Sequence, residues 1–176
     1  MGSFLSLPLL VLAAVLQVTL MPQIRILGGS PDLIFLIVVS WSLNASLEEA
    51  VLWAFVGGIS KDLLSAAPLG TSTLGLIIIL FAVHSIREQV YSVGLFTLIW
   101  VSILGSLFQQ ITILIIVYLA GFQPAFADTV GYGAVIDQIG YFVIPTIVYN
   151  LVAILPVYWF VRRLQIRIGL NERFTR

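Results

Sequence analysis

Apolar residues dominate this chain in long runs, separated by short breaks that contain polar residues, glycine or proline. The runs approach or exceed the roughly 18 residues that suggest a membrane-spanning helix. The pattern predicts six helices. They cover about residues 4–21, 30–43, 46–64, 71–86, 90–120 and 139–161.

Polar residues mark the predicted starts of helices two and three. Ser30 is placed to cap helix two, with Pro31 in its first turn and Asp32 near the positive end of the helix dipole. Ser46 and Glu49 have the spacing of a capping box, in which each side chain bonds the other's backbone. Both breaks therefore predict new helices and not bends.

Two of the predicted helices differ in length from the membrane. Helix five, with about thirty uncharged residues, would extend about 45 Å against a hydrocarbon core of about 30 Å, so it must tilt, kink near Gly105 or protrude. Helices two and three each contain few strongly apolar residues, so they could form a hairpin that crosses the membrane incompletely. Six spans, or four plus a hairpin, leave both termini on one side. A five-span arrangement remains an alternative.

The composition strengthens the membrane assignment. Hydrophobic residues make up 60% of the chain and charged residues 9%, and the mean hydropathy is +1.12. A soluble domain carries about 25% charged residues. We therefore predict an all-α integral membrane protein, with one polytopic transmembrane domain over residues 1–163 and a basic tail over residues 164–176.

Positive charge is concentrated at the end of the chain. Basic residues near span ends favour the cytoplasmic side, so the C-terminus, and by parity the N-terminus, are expected there. The tail could also attract anionic lipid or a protein, although topology anchoring is favoured. The arginines of the last fifteen residues are Arg162, Arg163, Arg167, Arg173 and Arg176.

The residues do not suggest an enzyme. The chain has no cysteine and a single histidine, His84, and it lacks the catalytic and phosphate-binding motifs. No cofactor, metal site or nucleic-acid partner is predicted. Polar residues within spans more often join helices by hydrogen bonds than line a substrate path. They are Gln17, Thr19, Gln109, Gln110, Thr112 and Asn150.

Helix three carries a ladder of small residues. Ala50, Ala54 and Gly58 follow one another by one turn, and Gly57 lies on the neighbouring ridge. Small residues at this spacing let another helix approach closely, either from this chain or from a partner. Lys61 is expected to extend its charge to the membrane interface.

Asp62 is the most costly residue to place, because a carboxylate inside a membrane needs partners. We expect it to accept hydrogen bonds from the backbone N–H groups at Gly70 to Ser72, where helix four begins. Together with the turn at Pro68 and Gly70, it would then lock helix three to helix four. The alternative is a helix-end carboxylate among lipid headgroups.

The stretch GGISKDLLSAAPLGTSTLGL resembles the signature region of the MreD family of bacterial rod shape-determining membrane proteins. The openings PLLVLAAVLQVTLMPQI and SPDLIFLIVV also resemble that family. The resemblance covers about the whole chain. The matching residues of the signature region are Gly57, Gly58, Asp62, Leu63, Leu64, Pro68 and Gly70.

The resemblance implies a non-enzymatic scaffold of the cell-wall elongation machinery in the bacterial inner membrane. Such proteins associate with the bitopic protein MreC and, through it, with MreB, RodA and a class B penicillin-binding protein. The family is similar in fold to the S components of energy-coupling-factor vitamin transporters, which supplies an alternative function. An S component needs polar groups from its outer loops; the candidates are Arg25, Gln123, Asp128, Tyr132 and Asp137.

Overall fold

The computed structural model describes residues 2–25, 28–65, 68–89, 94–119 and 139–167. Within these ranges the chain forms six α-helices and no strand. A short 3-10 helix, Met21–Ile24, follows α1, and a π-helical turn, Ile139–Val143, precedes α6. The helices are α1 (Gly2–Thr19), α2 (Leu33–Ser42), α3 (Leu47–Leu63), α4 (Thr71–Gln89), α5 (Leu95–Leu119) and α6 (Ile144–Arg167).

Two helices in the described ranges are long and apolar enough to cross a membrane on length and composition, over Leu95–Ile116 in α5 and Ile144–Arg167 in α6. Shorter apolar helices cover Pro8–Thr19, Leu33–Ser42 and Thr71–Arg87. Large apolar side chains cover much of the outside of the bundle; Val152, for example, is 69% exposed. An apolar exterior fits a protein whose surroundings are lipid.

The short helix α2 lies at the centre of the bundle. It packs against α1, α3, α4 and α6, and every residue from Ile34 to Ser42 is buried. Its ten residues rise about 15 Å, half of the roughly 30 Å hydrocarbon core. The helical part of α2 therefore cannot cross a membrane alone.

Side-chain contacts define the two ends of the bundle. Gln17 near the end of α1 contacts the start of α2, whereas Gln165 near the end of α6 donates to the Trp41 carbonyl oxygen at the other end of α2 (3.2 Å). Arg87 near the end of α4 donates to the Ala45 carbonyl oxygen beside Trp41 (2.5 Å). The start of α1 and the end of α6 consequently lie at the same end of the bundle. We call this end the arginine end and the opposite end the aspartate end.

Aromatic packing fixes the arginine end of the core. Trp41 of α2 and Trp53 of α3 are fully buried and stacked, with ring centroids 3.8 Å apart and planes 18° apart. The Ser46 hydroxyl accepts a hydrogen bond from the Glu49 N–H at 3.4 Å, which confirms Ser46 as the cap of α3. These contacts join α2 and α3 where the chain turns between them.

Several predicted helix boundaries differ from the structure. The cap of α2 is Asp32, not Ser30: the Asp32 carboxylate accepts the Phe35 N–H and the helix begins one residue later. Helix five begins at Leu95, since Gly94 is not helical, and α4 extends three residues past Ile86 to Gln89. Charged residues do not end a helix in the way that a glycine can.

Candidate functional site

The Asp62 carboxylate joins the last turn of α3 to the first turn of α4. Only 2% of the residue is exposed. Its Oδ1 accepts from the Ser72 N–H (2.8 Å), and its Oδ2 accepts from the N–H groups of Gly70 (2.9 Å) and Thr73 (3.3 Å). The Thr73 hydroxyl donates to Oδ2 as well, at 2.9 Å. The first N–H groups of a helix have no partner within the helix, so Asp62 caps α4 from the end of α3.

The turn between these helices directs the N–H groups toward Asp62. Gly70 has a φ of 97°, a left-handed conformation that favours glycine. Thr71 donates to the Pro68 carbonyl oxygen from its backbone N–H at 3.2 Å and from its hydroxyl at 2.7 Å. Pro68 and Gly70 therefore shape the corner that Asp62 closes.

Lys61 and Asp32 form an ion pair between α3 and α2. The Lys61 side chain is 16% exposed and that of Asp32 is 9% exposed. This pair was not predicted from the sequence. The expected extension of Lys61 to the membrane interface stays a prediction. Lys61 binds Oδ2 of Asp32 while the Phe35 N–H donates to Oδ1 at 3.1 Å, so both carboxylate oxygens have partners.

Gln17 binds the start of α2 through both ends of its side-chain amide. Its oxygen accepts the Leu33 N–H at 2.8 Å, and its nitrogen donates to the Pro31 carbonyl oxygen at 3.0 Å. This contact joins α1 to α2, as predicted for polar residues within the spans. Thr19 and Thr112 instead donate to carbonyl oxygens four residues earlier in their own helices.

Asn150 links α6 to α2 and α5. Its oxygen accepts the Asp32 N–H at 2.8 Å, and its nitrogen donates to the Ser106 hydroxyl at 2.9 Å. Gln109, one turn further along α5, donates to the Ser72 carbonyl oxygen in a longer bond of 3.4 Å. The Ser72 N–H in turn donates to Asp62 of α3, which follows Lys61, the partner of Asp32. The contacts therefore form a closed path from Asp32 through Asn150, α5 and Ser72 back to α3.

We call this closed path the polar ring. It connects α2, α3, α4, α5 and α6 inside a largely apolar bundle, and Gln17 attaches α1 beside it. Interhelical hydrogen bonds of this kind contribute about 0.6 kcal/mol each on average. Both carboxylates of the ring use both oxygens on partners in the chain, so the arrangement is suited to holding helices and not to acid–base chemistry. The ring consists of Asp32, Lys61, Asp62, Ser72, Ser106, Gln109 and Asn150.

The small-residue ladder of α3 lies inside the bundle. Ala50 and Ala54 are 2% and 0% exposed, and a Cβ on Gly57 would contact α1 and α2. A Cβ on Gly58 would lie 2.4 Å from the Thr73 Cα of α4. Helices of the same chain therefore receive this ladder, and its use as a partner interface stays a prediction.

The arginines assigned to the tail belong partly to a helix. Arg162, Arg163 and Arg167 are exposed residues in the last turns of α6, which continues to Arg167. The Arg163 guanidinium carbon lies 3.6 Å from the centroid of the Trp159 ring. Arg173, Arg176 and the loop candidates between residues 121 and 137 lie outside the described residues, whereas Arg25 is exposed.

The ion pair was missed from the sequence, although a signal for it existed. Asp32 precedes the turn between α2 and α3 and Lys61 follows it, with distances along the chain that differ by about one helical turn. In an antiparallel hairpin, residues at similar distances from the turn lie at the same level. Opposite charges at similar levels of the hairpin therefore indicate a pairing of Asp32 with Lys61.

The six described helices, the apolar exterior and the two long apolar helices fit an all-α membrane protein. The family model described as rod shape-determining protein MreD matches residues 1–167. The chain therefore belongs to the MreD family, a family of membrane proteins with a role in rod-shape determination and not a known family of enzymes. No curated protein and no solved structure matches the chain.

Proposed function

We propose that this protein is a non-enzymatic scaffold of the cell-wall elongation machinery. The observation that carries the proposal is the match to the MreD family over residues 1–167, which supports a role in rod shape. The polar ring is consistent with a scaffold, because its charged groups bind partners within the chain and hold the helices together. In the proposed complex the chain binds MreC directly and is connected with MreB, RodA and a class B penicillin-binding protein.

The proposed contact for MreC is the groove between α4 and α5. It has a volume of about 580 Å³ and an almost entirely apolar lining. On its α5 wall, exposed residues follow at intervals of four, three and four, the spacing with which one helix packs against another. These residues are Trp100, Leu104, Leu107 and Ile111.

The shape of the groove suits one membrane-spanning helix. Ala82 of α4 lies in the opposite wall and is small and exposed, so a helix backbone could approach there closely. From Trp100 to Ile111 the α5 wall extends about 16 Å, which suits several turns of a partner helix. Because MreC is bitopic, its single span is the occupant we propose, in place of a contact at the buried ladder of α3.

We further propose a multi-pass arrangement in the bacterial inner membrane with the arginine end in the cytoplasm. Arg87, Arg162 and Arg163 lie toward that end, as the preference of basic residues for the cytoplasmic side requires. Trp159 lies at the same end and would occupy the interface. Both termini would then be cytoplasmic.

The alternative proposal is a substrate-binding S component of an energy-coupling-factor transporter. Its binding groups would come from the outer loops, where Arg25 is exposed. Asp32 and Lys61, two charged groups at the aspartate end, are already paired with each other. The scaffold is therefore the stronger proposal.

Affinity capture of the full chain, followed by mass spectrometry, tests the two proposals together. A scaffold should recover MreC and other elongation proteins, whereas an S component should recover a transport ATPase module. Ala82→Trp, which fills the groove, should reduce the recovery of MreC at least about tenfold, equivalent to about 1.4 kcal/mol. Val152→Trp on the exposed face of α6 is the matched control and should leave recovery unchanged.

A further inference from the structure

The outward face of α6 changes from apolar to basic within one turn. Asn150, Ile154, Tyr158, Val161 and Gln165 form its buried face. On the opposite side the exposed residues are apolar from Val152 through Trp159 and Phe160, and then Arg162 and Arg163 follow. In a membrane such a change occurs where hydrocarbon meets headgroups, because tryptophan and arginine are favoured there.

Three residues form a stripe along this face at intervals of four. Trp159, Arg163 and Arg167 are all exposed, and residues four apart on a helix lie about 6 Å from each other. The Arg163 guanidinium stacks over the Trp159 ring at 3.6 Å, which holds the group in place. The N–H groups of a guanidinium lie in its plane, so stacking on a ring leaves their donor directions uncovered.

The arginines of the stripe lack an acidic partner in the part of the chain that the structure describes. The ion pair of Lys61 with Asp32 lies at the opposite end of the bundle. A guanidinium with planar, paired N–H donors suits the oxygens of a phosphate. Two such groups one turn apart can bind a phosphate from two sides.

We propose that Trp159, Arg163 and Arg167 form a binding site for the headgroup phosphate of an anionic phospholipid. The acyl chains would lie along the apolar face that continues toward Val152, so one lipid would satisfy both parts of the surface. A soluble phosphorylated ligand would leave the apolar part without a partner. The site requires insertion in a membrane but does not depend on the proposed binding of MreC.

Native mass spectrometry of the full chain, released from detergent with added lipid, tests this site. Dioleoylphosphatidylglycerol should be retained in preference to dioleoylphosphatidylcholine, and higher ionic strength should weaken its retention. Arg163→Gln should weaken the binding of phosphatidylglycerol about fivefold, and Arg163→Gln with Arg167→Gln about thirtyfold. Arg25→Gln removes the same charge at the aspartate end and should have no effect.

Three results would overturn the assignment. Equal retention of the two lipids would show that the anionic headgroup is not recognised. Unchanged retention in the double variant, with size-exclusion chromatography showing a folded protein, would exclude these arginines. Displacement of the lipid by inorganic phosphate at the same concentration would assign the site to a free anion.

Discussion

Removing the Asp62 carboxylate tests the corner between α3 and α4. The Asp62→Ala substitution leaves the backbone N–H groups of Gly70, Ser72 and Thr73 without their acceptor. Ser72 and Thr73 are 2% and 6% exposed, and an unsatisfied buried donor costs about 1–3 kcal/mol. Two such donors would cost about 2–6 kcal/mol. The alanine variant no longer buries a charge, which offsets part of this cost. We therefore expect the free energy of unfolding to fall by about 3 kcal/mol.

The assay is unfolding by sodium dodecyl sulfate in mixed micelles, followed by tryptophan fluorescence. Trp41 and Trp53 are buried and stacked, so their emission reports on the core. Asp62→Asn keeps one acceptor oxygen and should lose about half as much stability as Asp62→Ala. Glu48→Ala removes an exposed carboxylate from the first turn of α3 and should cost at most about 0.5 kcal/mol. Equal effects of Asp62→Ala and Glu48→Ala would refute the account of the corner.

Two further substitutions follow from the same packing. In the same unfolding assay, Lys61→Met should lower the free energy of unfolding by about 3–5 kcal/mol, because it leaves Asp32 buried and unpaired. Adding Asp32→Asn should recover part of this loss. Additive losses from the two substitutions would contradict a direct ion pair. Gly58→Ala should cost about 1–3 kcal/mol, since the new methyl carbon would lie 2.4 Å from the Thr73 Cα. Gly140→Ala, with nothing within 4 Å of its added Cβ, should change stability by less than about 0.5 kcal/mol, and a similar loss at both glycines would argue against the close contact.

The sequence was most informative where one local feature determined the outcome. Ser46 was identified as a cap because its hydroxyl and Glu49 have a fixed spacing. The partners expected for Asp62 were the amides at Gly70 to Ser72, and its hydrogen bonds go to Gly70, Ser72 and Thr73. The turn between α3 and α4 is short, so the end of α3 and the start of α4 must lie close together. The contact between Asp62 and these amides is therefore nearly local.

Contacts between distant segments could not be derived in the same way. Asn150 reaches the Asp32 N–H only because α6 packs against α2, and nothing in either segment encodes that neighbour. The central position of α2 could not be predicted from the sequence either, since any of the six apolar segments could have occupied it. For Lys61, the general rule that lysine extends to the interface did not reveal the partner Asp32, because the rule considers one helix at a time.

We have proposed that the chain acts as a scaffold and that it holds the membrane helix of MreC between α4 and α5. A photo-cross-linking amino acid at position 82, in the groove, tests it most directly in living cells. Position 152, on the exposed face of α6, is the control. We expect mass spectrometry to identify the membrane span of MreC cross-linked to position 82 and not to position 152. Cross-links to MreC from position 152 alone, or from neither position while MreC is still captured, would contradict the claim.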